Sequence, residues 1–418
     1  MNNKVVITGI GAVTPVGNTA PDTWSALAAG RSGVGRIATF DPGSFSVQIA
    51  GMVRDFAPAP ELLHTQRWEL LTRAGAFGVV AAAEAIADAG DPAGHHAPES
   101  RGVFVGGHVG RPEAAELAEI GLTRKRSDGA EIYRRDPDST LRCDQGIDLA
   151  AIAEVGGCRG PISGISTACA SATHAIGEAF RRIQAGEITM AIAGGQDALT
   201  TWLDVSGFSL LGALTTRYND DPTRASKPFD ANRDGFVLGE GSVLMVLEDE
   251  RIARARGTRI LGRVGGYAAT MNAYRITDSP PDGGGSITAM ANAIADAGIG
   301  PDAVDCVYAH GTSTPGNDTS ETAAIKQVFG AHAHELLVTS PKSMTGHLTA
   351  GAGALNVLAA LRGFAEGLVP PTINHTEPDP KLDLDYVPNQ ARAAELSVAV
   401  VNSFAFGGTN ASLLLEAP

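Results

Sequence analysis

Aromatic residues are scarce in this chain, 5% of 418, and cysteines number only four: Cys143, Cys158, Cys169 and Cys306. No CxxC pair occurs, so the usual spacing of a zinc site is missing and no metal is expected. Four cysteines in so long a chain do not make a disulfide framework either, and reduced thiols in a cytoplasm are expected. Cations are also short: 32 Lys and Arg stand against 46 Asp and Glu, a formal charge of −14. Such a body is a poor partner for nucleic acid or an anionic membrane. No apolar run reaches the ~18 residues of a membrane span, and MNNKVVITGIGAVTP lacks a signal-peptide cleavage pattern. The glycines of GIGAVTPVGN do not form GxGxxG, which removes the dinucleotide fingerprint.

What is abundant is small and apolar. There are 51 glycines, many beside strand-like runs. KVVITGIG (4–11), RGVFVGG (101–107), ITMAIAGG (188–195), SVLMVLE (242–248), AVDCVYAHG (303–311), ELLVTS (335–340) and SVAVVNSFAFGG (397–408) read as strands. Most are apolar throughout, as strands buried on both faces are. Ala-rich helical patterns lie between them at 73–90, 170–186, 286–298 and 353–367, several stopping at a Gly. This alternation is the α/β pattern. AIADAG occurs twice, at 85–90 and 293–298, and RILGRVGGYAAT near 259 restarts what KVVITGIGAVT begins. A duplicated core is therefore expected, with halves 1–255 and 256–418 meeting where EDERIARARGT interrupts the apolar runs. Residues 108–150 are polar and poorly periodic, an insertion from that core.

Five strings carry candidate chemistry. GISTACASATHAIG places Cys169 at a strand-to-helix turn, where unpaired amides and the helix dipole would stabilise a thiolate. A buried small hydrophobe is the competing reading. In YAHGTSTPGNDTSET, His310 follows an apolar strand, Thr312 and Thr314 could bond a polar chain, and Asp318 and Glu321 could orient neighbours or cap a helix from Ser320. A structural loop histidine is an equal reading of that string. TSPKSMTGHLTAGAG brings Lys342 and His347 before a helix, a polarising or acid/base arrangement unless the lysine is simply on the surface. SKPFDANRDGFVLGEG, taken alone, is a charged turn carrying Phe236. NSFAFGGTNASLLLE ends a strand in glycines that let backbone amides approach a ligand.

Together and in this order these strings resemble the β-ketoacyl synthases of the elongating type, the fatty-acid condensing enzymes and the ketosynthase α-subunits of type II polyketide systems. The likeness covers nearly the whole chain. It implies an α/β thiolase-like fold, a duplicated core in five layers αβαβα, and an obligate dimer. It implies that Cys169 takes the acyl chain as a thioester. His310 and His347 would bind the extender thioester and help its decarboxylation, with Lys342 and Glu321 in the same polar network. The amides of Cys169 and Phe406 would form the oxyanion hole, with Phe406 in a gating loop. Phe236, Phe404, Thr312 and Thr314 would contact substrate and its phosphopantetheine arm. That arm arrives on an acyl carrier protein, so no resident cofactor is implied.

Two histidines, rather than a His and an Asn, set the chain apart from initiating synthases, and Cys169 argues against a non-catalytic chain-length or scaffold subunit. A thiolase would need a second cysteine near the C-terminus, and the last is Cys306. Two departures matter. Relatives usually read GGTEA where this chain has GGQDA (194–198), and the segment 134–157 is unusual. These point to polyketide or polyene synthesis, with housekeeping fatty-acid elongation as the alternative and with either a homodimer or a chain-length-factor-like partner. Carrier docking is expected around Arg67, Arg73 and Arg217.

Overall fold

The computed structural model describes residues 3–65, 67–108, 118, 141 and 144–418. Ten strands carry the core: β1 (Val5–Val13), β2 (Arg101–Gly106), β3 (Ile162–Ile165), β4 (Met190–Asp197), β5 (Gly241–Asp249), β6 (Gly262–Met271), β7 (Cys306–Tyr308), β8 (Leu337–Thr339), β9 (Val398–Phe404) and β10 (Thr409–Glu416). They lie in the order β8-β7-β9-β10-β6-β1-β5-β4-β2-β3. Counted within its own half, each set of five runs 3-2-4-5-1. The pairing senses repeat as well: 3-2 and 2-4 are parallel, 4-5 and 5-1 antiparallel, in both halves. Among the described residues the two five-strand halves of the sheet pair through Val5–Ile7 against Gly262–Val264.

Alternation along the strands shows the layers. Phe104, Val243, Met245, Val401 and Leu413 point into a central core shared with Ile176 and Phe180 of helix Ser171–Gln184 and with Leu355 and Leu358 of helix Ala352–Glu366. Their neighbours Val103, Val105, Leu244 and Val246 face outward onto helices Arg73–Asp88 and Gln145–Gly156. Val400 and Leu414 face helices Gly284–Asp296 and Pro315–Phe329 on the other side. The stack is αβαβα, the five-layer thiolase-like arrangement. The AIADAG echo is structural: a Cβ on Gly9 would meet the Ala85 carbonyl oxygen at 2.1 Å, and one on Gly266 the Ala293 oxygen at 2.1 Å. In each half the first strand and the helix ending in AIADAG approach too closely for any side chain between them.

Some expectations shift in detail. The run 303–311 yields a strand of three residues, because the chain leaves the sheet after Tyr308 to form the loop that carries His310. The helix expected from Ser320 begins at Pro315, which suits a first-turn position because it has no N–H to leave unpaired. The insertion expected over 108–150 lies mostly outside the described residues, but its end is already helix from Gln145, capped by Asp144. No helix among the described residues is long and apolar enough to cross a membrane.

The interrupting segment near 250–258 is pinned rather than loose. Glu248, buried on β5, accepts bonds from His96 (2.8 Å), Thr8 (2.5 Å) and Arg256 (2.7 and 2.9 Å). Burial alone would raise this carboxyl, but the bonds from His96, Arg256 and Thr8 outweigh it and hold it down at about 2. A carboxylate depressed on folding contributes stability above its unfolded value near 4.5 and loses it as pH falls toward 2. Glu248→Gln should therefore cost on the order of 3 kcal/mol at neutral pH. The gap in thermal midpoint to wild type should narrow between pH 7 and pH 3. An unchanged gap at pH 3 would show that the charge is not the source.

Candidate active site

Cys169 sits on a one-turn 3-10 segment, Ala168–Ala170, that runs straight into helix Ser171–Gln184. Ala168 is left-handed (φ 49°), a strained position for a residue with a Cβ. The Ser171 hydroxyl holds the elbow, donating to Ala168 O (2.6 Å) and accepting from Thr167 N–H (2.9 Å). Thr173, one turn on, shares a 2.7 Å hydroxyl bond with Ser403 of β9, which brings the Phe404–Gly408 turn beside the sulfur. Burial pushes the Cys169 thiol up to about 12, against the downward pull of Lys342 and of the backbone N–H groups of Cys169 and Phe406. Asp197 adds to the rise. The helix start does not outweigh burial, so the resting group is a thiol rather than the thiolate expected from the sequence.

The second half supplies the partners. His310 stands in the loop after β7, its own N–H and that of Gly311 each donating to Glu321 at 2.8 Å. Asn402 holds the same carboxylate at 3.2 Å. Lys342 Nζ donates to the His310 carbonyl at 2.5 Å, and burial brings the ammonium down to about 8 although Glu321, Cys169 and Asp318 favour its charge. The His347 N–H donates to Val237 O (2.7 Å), and its Nδ1 accepts from Thr349 N–H (3.1 Å). Nδ1 being the acceptor, the proton of neutral His347 sits on Nε2, a buried nitrogen without a protein partner. The two imidazoles lie 5.3 Å apart at 78°. Burial, with Lys342 adding to it, holds both well below the usual histidine range, so both are neutral at physiological pH.

The Cys169 sulfur and one ring nitrogen of each histidine lie within 4.8 Å of one another. A thiolate and two imidazoles could also take a soft divalent cation, but the Lys342 ammonium beside them opposes further positive charge. They share a cavity of about 220 Å³ with Phe236, Phe404, Phe406, Thr312 and Thr314. The Thr312 and Thr314 hydroxyls are 2.9 Å apart. Phe236 packs edge-on against His347 (5.5 Å) and near Phe406 (6.5 Å). Gly407 (φ 85°) and Gly408 (φ 83°) turn the chain so that the Phe406 amide meets the sulfur.

The three arginines do not converge on this cavity. Arg67 pairs with Glu154 at 2.8 Å on the surface. Arg73 directs its guanidinium at buried Glu240 (2.6 Å) and lies over Phe77. Arg217 lies exposed 3.3 Å from Asp234, which itself lines the cavity. Sequence reasoning missed Asn402, Thr349 and Asp197. Asn402 lay inside the NSFAFGG string, and Asp197 was visible only as the GGQDA departure. Thr349 gave no signal, because its role depends on a backbone amide.

Comparisons with known proteins agree with this geometry. The family described as Beta-ketoacyl synthase, N-terminal domain, matches residues 2–253, and Beta-ketoacyl synthase, C-terminal domain, matches residues 261–376. The chain is 43% identical to a 3-oxoacyl-[acyl-carrier-protein] synthase 2 of Synechocystis sp., over 99% of this chain and 98% of that protein. It is 40% identical to the 3-oxoacyl-[acyl-carrier-protein] synthase 2 of Coxiella burnetii with the same coverage. Among solved structures it resembles AntDE:AntF, a type II PKS acyl-carrier protein in complex with its ketosynthase bound to the hexaketide. The TM-score there is 0.90 and the identity 31%, over 100% of both chains. The chain therefore belongs to the β-ketoacyl synthase family, in its elongating β-ketoacyl-ACP branch, and is an acyl-transferring condensing enzyme.

Proposed function

We propose that this enzyme elongates fatty-acyl chains, condensing an acyl group held on Cys169 with a malonyl group delivered by an acyl carrier protein. This takes the alternative pathway reading over the polyketide reading that the GGQDA and 134–157 departures favoured. The 43% and 40% identical relatives are named 3-oxoacyl-[acyl-carrier-protein] synthase 2, whereas the polyketide ketosynthase stands at 31%. The same complex supports a carrier protein as partner.

The chemistry follows from the site. The Cys169 sulfur attacks the acyl-carrier thioester, its proton leaving with the carrier thiol. Thr312 and Thr314 receive the phosphopantetheine arm, so the substrate's own carrier supplies what a resident cofactor would. The malonyl carboxylate then leaves as CO2, and the electron pair it leaves behind forms an enolate on the thioester oxygen. His347 Nε2–H and His310 face that oxygen as neutral donors. The enolate carbon attacks the Cys169 thioester, and the oxyanion is met by the amides of Cys169 and Phe406. Collapse expels the Cys169 thiolate, which takes a proton from water to return to the thiol, and leaves a 3-oxoacyl chain two carbons longer on the carrier. The observation that carries this reading is the His347 bond from Thr349, which leaves an Nε2–H donor in the same cavity as the thiol.

The test is the protein purified alone, given malonyl-carrier thioester and saturated acyl-carrier thioesters of graded length. Each accepted primer should return as its 3-oxoacyl homologue. Turnover only of poly-oxo chains, or only with a second chain lacking the cysteine, would favour the polyketide reading instead.

A further inference from the structure

The GGQDA departure ends β4 on a buried carboxylate, Asp197, that lies behind the catalytic turn rather than in the cavity lining. Three donors converge on its Oδ2: His108 Nδ1 at 2.5 Å, the Thr349 hydroxyl, and the Ala350 amide at 3.0 Å. Its Oδ1 takes the Ala198 amide at 3.0 Å. Thr349 is left-handed (φ 46°), a conformation that a β-branched residue adopts only when its surroundings hold it there. The two bonds from the 349–350 turn to Asp197 are that hold. The strained turn aims the Thr349 amide at His347 Nδ1 and so fixes which nitrogen of His347 carries the proton. His108, about one-fifth exposed, stands where the polar insertion begins and completes the carboxylate's set of donors.

We infer that Asp197, with Thr349 and His108, is a positioning group for His347: through the strained 349–350 turn it holds the imidazole as the Nε2–H tautomer that receives the enolate. This rests on the reading that His347 donates to the extender thioester. A carboxylate that only braced the fold would serve both half-reactions equally. Asp197 should not. Its charge opposes a thiolate at Cys169, so neutralising it does not hinder acyl transfer, while decarboxylation loses a correctly oriented donor.

The two half-reactions are measured on the same proteins: CO2 release from malonyl-carrier thioester, and acylation of Cys169 from acyl-carrier thioester read by intact mass. Asp197→Asn should lower CO2 release by about tenfold or more. Acylation should stay within about threefold of wild type. Thr349→Val, which keeps the side-chain shape and removes the hydroxyl, should show the same split to a smaller degree. His108→Gln should retain more CO2 release than His108→Ala, because the amide can still donate to Asp197. Parallel loss of both half-reactions, or unchanged CO2 release in both Asp197→Asn and Thr349→Val, overturns the inference. A wild-type protein that acylates but releases no CO2 overturns the role of His347 on which it rests.

Discussion

Cys169→Ala should abolish condensation, lowering 3-oxoacyl formation by at least about three orders of magnitude. Intact-mass measurement after exposure to acyl-carrier thioester should show the acyl increment on wild type and none on the variant. The expectation rests on placement rather than on residue type. Cys158 and Cys306 are free as well, but both are buried away from the cavity, and burial pushes the Cys158 thiol up to about 11 and the Cys306 thiol higher still. Cys169 alone among the described cysteines lines the cavity, with two amides and the Lys342 charge directed at its sulfur. An acylated Cys169→Ala protein would move the nucleophile elsewhere.

The second large effect separates the histidines from the cysteine. His310→Ala and His347→Ala should each cut CO2 release from malonyl-carrier thioester by roughly two to three orders of magnitude. Acyl transfer to Cys169 should persist within about tenfold. Both imidazoles are buried beside a cation and stay neutral, so wild-type CO2 release should show no falling limb near pH 6.5 from their protonation. Loss of an imidazole removes a donor aimed at the enolate oxygen, whereas the thiol, its amides and the elbow at Ala168 are left in place. Because the two rings serve one oxygen, the double variant should fall little further than the worse single one. Unchanged CO2 release in either variant would defeat its assignment.

Much of this was legible along the chain. The apolar runs of β1 and β5 announce strands covered on both faces, and every residue of both is buried. The repeated AIADAG foretold helices that end alike, with Gly90 and Gly298 at φ 74° and 75°. β3 was not legible: it is the outermost strand of its sheet, only half covered, and so carries no continuous apolar run. Arg73 was legible only as a cation, since nothing local reveals that Glu240, 167 residues away, pairs with its guanidinium. Nor could a turn rich in small residues and a helix start reveal that burial would leave Cys169 protonated.

By itself the sequence determined most of the core strands, the Ala-rich helices, the doubling of the core and the residues able to do thiol and imidazole chemistry. These follow from local periodicity and from side-chain type, which are properties of short stretches. Only the tertiary structure decided the protonation of the thiol, the tautomer of His347 and which donors converge on Asp197. Each is set by burial and by hydrogen bonds between segments as far apart as Asp197 and Thr349, which become neighbours only when the two halves close on their shared central layer.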